Sequence, residues 1–107
     1  MTPAARLAAA IDILARMGDL RIPTAEALKE WGRRNRYAGA KDRTAIGNLV
    51  YDALRTRASS AYLMGDESSR AVMLGALKRA RGMGADEIAA LCSGDKYAPA
   101  QLTDDER

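Results

Sequence analysis

Residues 41–57 read KDRTAIGNLVYDALRTR, and within them Ile46, Leu49, Val50, Ala53 and Leu54 recur at i, i+3, i+4, i+7 and i+8. That spacing draws one apolar stripe along a helix, where a half-buried strand would alternate apolar and polar residues. Asp42 falls in the first turn and Arg55 and Arg57 in the last, each at the end the helix dipole favours. The segment is expected to be the central helix of the fold. The turn Ala38-Gly39-Ala40 leads into it.

Upstream, Thr2-Pro3 has the form of a helix opening, a capping hydroxyl followed by Pro at the first helical position. Leu7, Ile11 and Leu14 then make a stripe that Gly18 and Asp19 should end. Pro23 or Thr24 opens a second helix with Ala25, Leu28 and Trp31 inward. Downstream, a short helix holds Tyr62, Leu63 and Met64 before Gly65. Ser68 or Ser69 caps the next, with Val72, Met73, Ala76, Leu77 and Ala80 inward, and Ile88, Leu91 and Cys92 mark a last short one. No strand alternation occurs, so the fold class is all-α: a compact bundle of about six helices with short connections. Residues 1–94 form this domain. From Asp95 the stretch DKYAPAQLTDDE loses apolar periodicity, contains Pro99 and reads as a linker over 95–107. It ends in Thr103-Asp104-Asp105-Glu106, the pattern of a capping box that starts a helix.

The chain of 107 residues has no Phe, one Trp, one Cys and no His. One Cys excludes a disulfide framework, and the lack of His or a Cys pair removes the usual zinc sites, so no metal and a reducing, cytoplasmic setting are expected. The apolar start of the chain is broken by Asp12 and is too short for a signal or a membrane span. No residue is expected to be catalytic. Cys92 sits on an apolar face at a helix C-terminus, a setting that keeps a thiol protonated. Gly82-Met83-Gly84 begins like a cofactor loop but lacks a preceding strand and has Glu87 where the pattern needs Gly, so helix termination explains it. Met17, Met64, Met73 and Met83 suit gaps in an Ala-rich core better than a binding surface.

Charge is the feature that singles out a region. The tail from Asp95 has four acids and two bases, a net −2, so the first 94 residues, with fifteen bases and ten acids, carry +5. Positions 29 to 57 alone hold eight bases against three acids. WGRRNRYAGAKDR gathers Arg33, Arg34, Arg36, Lys41 and Arg43 around one loop near Lys29, with Tyr37 among them. Arg provides a planar fork for phosphate, and an exposed ring can stack on an unpaired base. Lys29, Arg33, Arg34, Arg36, Tyr37, Lys41 and Arg43 are therefore the candidate RNA-binding residues. A solvated basic face, with the arginines serving helix ends and nearby carboxylates, is the alternative.

Lys41 to Arg57 also resembles the Asp-Arg-Ala … Leu-Val-Tyr-x-x-Leu-Arg stretch of the NusB-like RNA-binding domain, as found at the N-terminus of the Fmu/Sun family of ribosomal RNA cytosine methyltransferases. ARLAAAIDIL, ALKEWGRRNRYAGAKDR, SSAYLMG and the AP-x-LT-x-x-E exit are similar to that family as well. The resemblance implies a NusB-like bundle that positions ribosomal RNA and is not itself an enzyme. Its own C-terminal methyltransferase domain would be absent from this chain, would use S-adenosylmethionine and would methylate cytosine at carbon 5. Thr103 to Glu106 would then start the segment leading to that domain, the chain being an excised domain or a natural truncation. Free-standing NusB-like antitermination factors carry an Arg-rich first helix, whereas this one has Arg6 and Arg16 only. A stand-alone antitermination-type adaptor between RNA and protein, and a helical protein-interaction module, are the alternative functions.

Overall fold

The computed structural model describes residues 1–107 and contains six α-helices and no strand. Thr2 begins the first, α1 (Pro3–Leu20), where its Oγ1 accepts from the Ala5 N–H at 3.0 Å. The helix does not stop at Gly18. It runs to Leu20 and is closed by Arg21 in the left-handed region at φ 53°, because an exposed last turn tolerates Gly at a cost of about 1 kcal/mol. A Cβ on Gly18 would meet nothing within 4 Å. Gly18→Ala is therefore expected to stabilise the fold by about 0.5–1 kcal/mol, read as a rise of a few degrees in Tm.

α2 (Thr24–Arg34) follows Pro23 and buries Ala27 and Trp31, with Leu28 half-buried. Ala25, expected inward, is exposed, since it lies about 200° around the helix from Ala27. α3 (Ala40–Arg55) buries Ile46, Gly47, Leu49, Val50 and Ala53. It ends at Thr56, whose hydroxyl donates to the Asp52 carbonyl at 2.8 Å. Arg57 consequently stands in the first turn of α4 (Arg57–Met64), not in the last turn of α3. α4 is short, buries only Ser60 and is closed by Gly65 at φ 67°.

The centre of the bundle is α5 (Ser69–Arg79), not α3. Ser68 caps it by accepting from the Ala71 N–H at 3.1 Å, and Ala71 to Leu77 are buried without interruption. α1, α3, α4 and α6 surround it. A helix enclosed on all sides is apolar all round, so its sequence shows less of the stripe that marks a one-sided helix such as α3. Ala80, expected inward, lies just past the enclosed turns and is exposed. α4 crosses α5 at closest range where Gly75 meets Ser60: a Cβ on Gly75 would fall 2.6 Å from the Ser60 Cβ and 2.8 Å from its Cα.

α6 (Ala85–Leu91) starts with the Glu87 carboxylate accepting from the Gly84 N–H at 3.1 Å and contributes Ile88, followed by Cys92, to the core. Residues 95–107 then lie back against the bundle. The Gly94 N–H donates to the Pro99 carbonyl at 3.0 Å, Pro99 is buried, and Leu102 packs on the core. Thr103 caps a single 3-10 turn (Asp104–Glu106), in which the Glu106 carboxylate accepts from the Thr103 N–H at 2.9 Å. Arg70 of α5 fastens this turn, donating to Glu106 at 2.7 and 3.0 Å and to the Ala100 carbonyl at 2.9 Å. No helix is long and apolar enough to cross a membrane.

Candidate nucleic-acid interface

The join between α2 and α3 is short and firmly closed. Both the backbone N–H and the side-chain amide of Asn35 donate to the Trp31 carbonyl, at 3.0 and 2.8 Å, and end α2. The Ala38 N–H donates to the Asn35 carbonyl at 3.0 Å, and the Ala38 methyl is buried. With Asn35 and Ala38 held inward, the two residues between them, Arg36 and Tyr37, turn out to solvent, and the Tyr37 side chain is 73% exposed.

Asp42, in the first turn of α3, is the acid closest to this loop in sequence, and its carboxylate is already engaged. Its carboxylate accepts from Arg6 Nε at 2.8 Å and from the Gly39 N–H at 3.3 Å, with the terminal amine of Met1 at 3.7 Å. The Arg6 guanidinium, helped by the Gly39 amide and the terminal amine, holds that carboxyl below its usual range. Asp42 thus spends its charge on α1 and leaves the loop cations uncompensated.

The seven candidate residues divide by their contacts. Lys29, Arg33, Arg36 and Lys41 are exposed and have no carboxylate at ion-pair distance. Lys29 and Arg33 stand one turn apart on α2, with Arg36 continuing the row into the loop. Arg34 is exposed but shares Glu30 with Arg16, which is the nearer partner at 2.7 Å against 3.9 Å. Arg43 is exposed as well and has no ion pair, but it is tied to the loop: its Nη1 donates to the Ala38 carbonyl at 3.2 Å, and its stem passes over Gly32, where a Cβ would lie 3.4 Å from the Arg43 Cδ. It positions the loop, and it does so through a carbonyl where a carboxylate partner was the alternative expectation.

Beside Tyr37 opens a cleft of about 920 Å³ that the sequence does not announce. It is lined by Ala5, Ala8 and Asp12 of α1, by Trp31 and Tyr37, by Arg70 of α5, and by Lys96 to Pro99 of the returning tail. Tyr97 has φ 72°, a left-handed conformation uncommon outside Gly and Asn, and is 72% exposed, with Lys96 Nζ 5.1 Å from its ring centroid. Asp12, Lys96 and Tyr97 were not legible as site residues. Asp12 reads as one polar position of an apolar helix, and Tyr97 falls in a stretch without periodicity.

Other candidate chemistry resolves into packing. Cys92 is buried, and burial pushes its thiol up, away from the reactive thiolate. Met73 is fully buried, while Met17, Met64 and Met83 pack against the core. Gly82-Met83-Gly84 connects two helices and closes α5 with the Met83 N–H on the Leu77 carbonyl at 3.0 Å. Without a strand leading into it, it does not fit the glycine loop of a nucleotide or S-adenosylmethionine site. No group of three or more metal-ligating side chains is gathered anywhere. In comparisons with known proteins, no family model, curated protein or solved structure matches the chain.

Proposed function

We propose that this chain is an RNA-binding domain without catalytic groups of its own, holding ribosomal RNA for a cytosine-C5 methyltransferase domain to which S-adenosylmethionine would belong. The observation that supports this most is the row of uncompensated cations, Lys29, Arg33, Arg36 and Lys41, around a rigid loop that presents Tyr37. None of the four has a carboxylate partner, although Arg33 stands in the last turn of α2, and Asp42 in the first turn of α3 is already engaged by Arg6. Such a surface attracts phosphates and fixes the register of a strand without reading its sequence. The methyltransferase setting rests on the resemblance of Lys41 to Arg57 and of the exit segment to the Fmu/Sun family.

The test is a titration of a labelled ribosomal RNA hairpin with a single-stranded loop at several salt concentrations. Binding is expected to weaken with a log–log slope of about −0.7 for each phosphate contacted on single-stranded RNA. The Arg33→Ala/Arg34→Ala/Arg36→Ala variant should lose about 1–2 of that slope and bind about tenfold more weakly near 0.1 M salt. An unchanged slope in the variant would favour a helical protein-interaction module.

A further inference from the structure

We propose that the cleft between α1 and the returning tail receives one unstacked base of the bound RNA, and that Asp12 selects guanine there. This rests on the RNA-binding function proposed above and adds a base-specific subsite to it. Tyr37 and Tyr97 both line the cleft and are both largely exposed, and an exposed aromatic face is a platform for an unpaired base. Tyr37 belongs to the cationic loop itself, so a strand running over Arg36 passes the mouth of the cleft. Lys96 and Arg70 supply cations to the lining.

Asp12 gives the cleft its selectivity. It is exposed in the cleft and has neither an ion pair nor a hydrogen bond, although the lining also holds cations. A carboxylate here repels phosphate, so it suits the edge of a base rather than the backbone. Ionised, it only accepts hydrogen bonds, and its two oxygens match two donors side by side. Guanine is the one standard base that offers this, through N1–H and N2–H₂. Adenine and cytosine pair one donor with an acceptor, and uracil flanks its single N–H with two carbonyls. A cationic side chain is the competing occupant of an aromatic site with a carboxylate. The cations that line this cleft, Arg70 and Lys96, disfavour it.

The experiment uses the full chain and 5′-labelled uridine hexanucleotides carrying one central guanosine, adenosine or inosine, read by fluorescence anisotropy. The guanosine hexamer should bind about tenfold tighter than the adenosine one, with inosine, which lacks the N2 amine, in between. Asp12→Asn should abolish the guanosine preference and shift it towards adenosine, whose edge an amide complements. Tyr97→Ala should weaken all three hexamers. Salt-dependent binding without any base preference overturns the guanine subsite and leaves the RNA-binding function standing. Failure of every hexamer and of the ribosomal hairpin overturns both. Displacement of the guanosine hexamer by N-acetylarginine amide at lower concentration than by guanosine monophosphate assigns the cleft to a cationic ligand and overturns the proposal.

Discussion

Gly75→Ala is expected to destabilise the protein by about 2–3 kcal/mol, although Ala is the better helix former. In an open helix the exchange gains about 1 kcal/mol, as anticipated at Gly18. At Gly75 the added Cβ would meet the Ser60 Cβ, Cα and carbonyl oxygen at 2.6, 2.8 and 2.9 Å. These are backbone atoms or next to the backbone, so no rotamer change relieves the clash and α4 must lift from α5. Overpacking of this kind costs about 1–3 kcal/mol, and here the upper end applies because the obstacle is main chain. Urea unfolding should show a lower midpoint with an unchanged slope, and α4 amides should exchange faster. A midpoint equal to wild type would mean that the two helices are not in backbone contact.

Arg70→Ala is expected to release the tail at a cost of about 2 kcal/mol, with the rest of the bundle intact. Arg70 makes charge-assisted hydrogen bonds to Glu106 and also holds the Ala100 carbonyl, while Lys78 Nζ donates to the Glu106 carbonyl at 2.8 Å. Hydrogen bonds to charged groups contribute about 1.5–3 kcal/mol, and partial exposure of the pair argues for the middle of that range. The Arg70 guanidinium holds the Glu106 carboxyl at about 2, against an ordinary value of 4.5. Because the folded value is the lower one, the contact contributes fully above pH 4.5 and is lost as the pH falls towards 2. Heteronuclear NOEs for residues 95–107 should therefore be low in the variant at every pH. In the wild type they should fall only in that acid window. A rigid tail in Arg70→Ala would show that Pro99 and Leu102 hold it unaided.

What could be read in advance was whatever depends on near neighbours in sequence. Thr2, Ser68 and Thr103 each cap the turn that follows them, because a cap is made within three residues. The stripe of α3 was legible for the same reason, and so was the exposure of the basic loop. Which helix is central was not: α5 is enclosed on every face, and enclosure erases the contrast that periodicity measures. The return of the tail depends on Arg70 meeting Glu106, and the fate of Arg43 on a carbonyl that only the closed loop presents. Asp12 and Tyr97 share a cleft through tertiary packing alone, with no local pattern to join them.

Tyr97 lines the cleft on a stretch of chain held by the Gly94–Pro99 hydrogen bond on one side and by Arg70, through Ala100 and Glu106, on the other. The aperture is thus set in part at a distance, as the gap of a door is set by its hinge and its latch together. Loss of the Arg70 contacts is expected to loosen the Tyr97 side of the cleft, while the cationic loop, anchored on α2 and α3, stays where it is. The cationic loop and the cleft are thus mechanically separable, and only the cleft depends on how the tail is held.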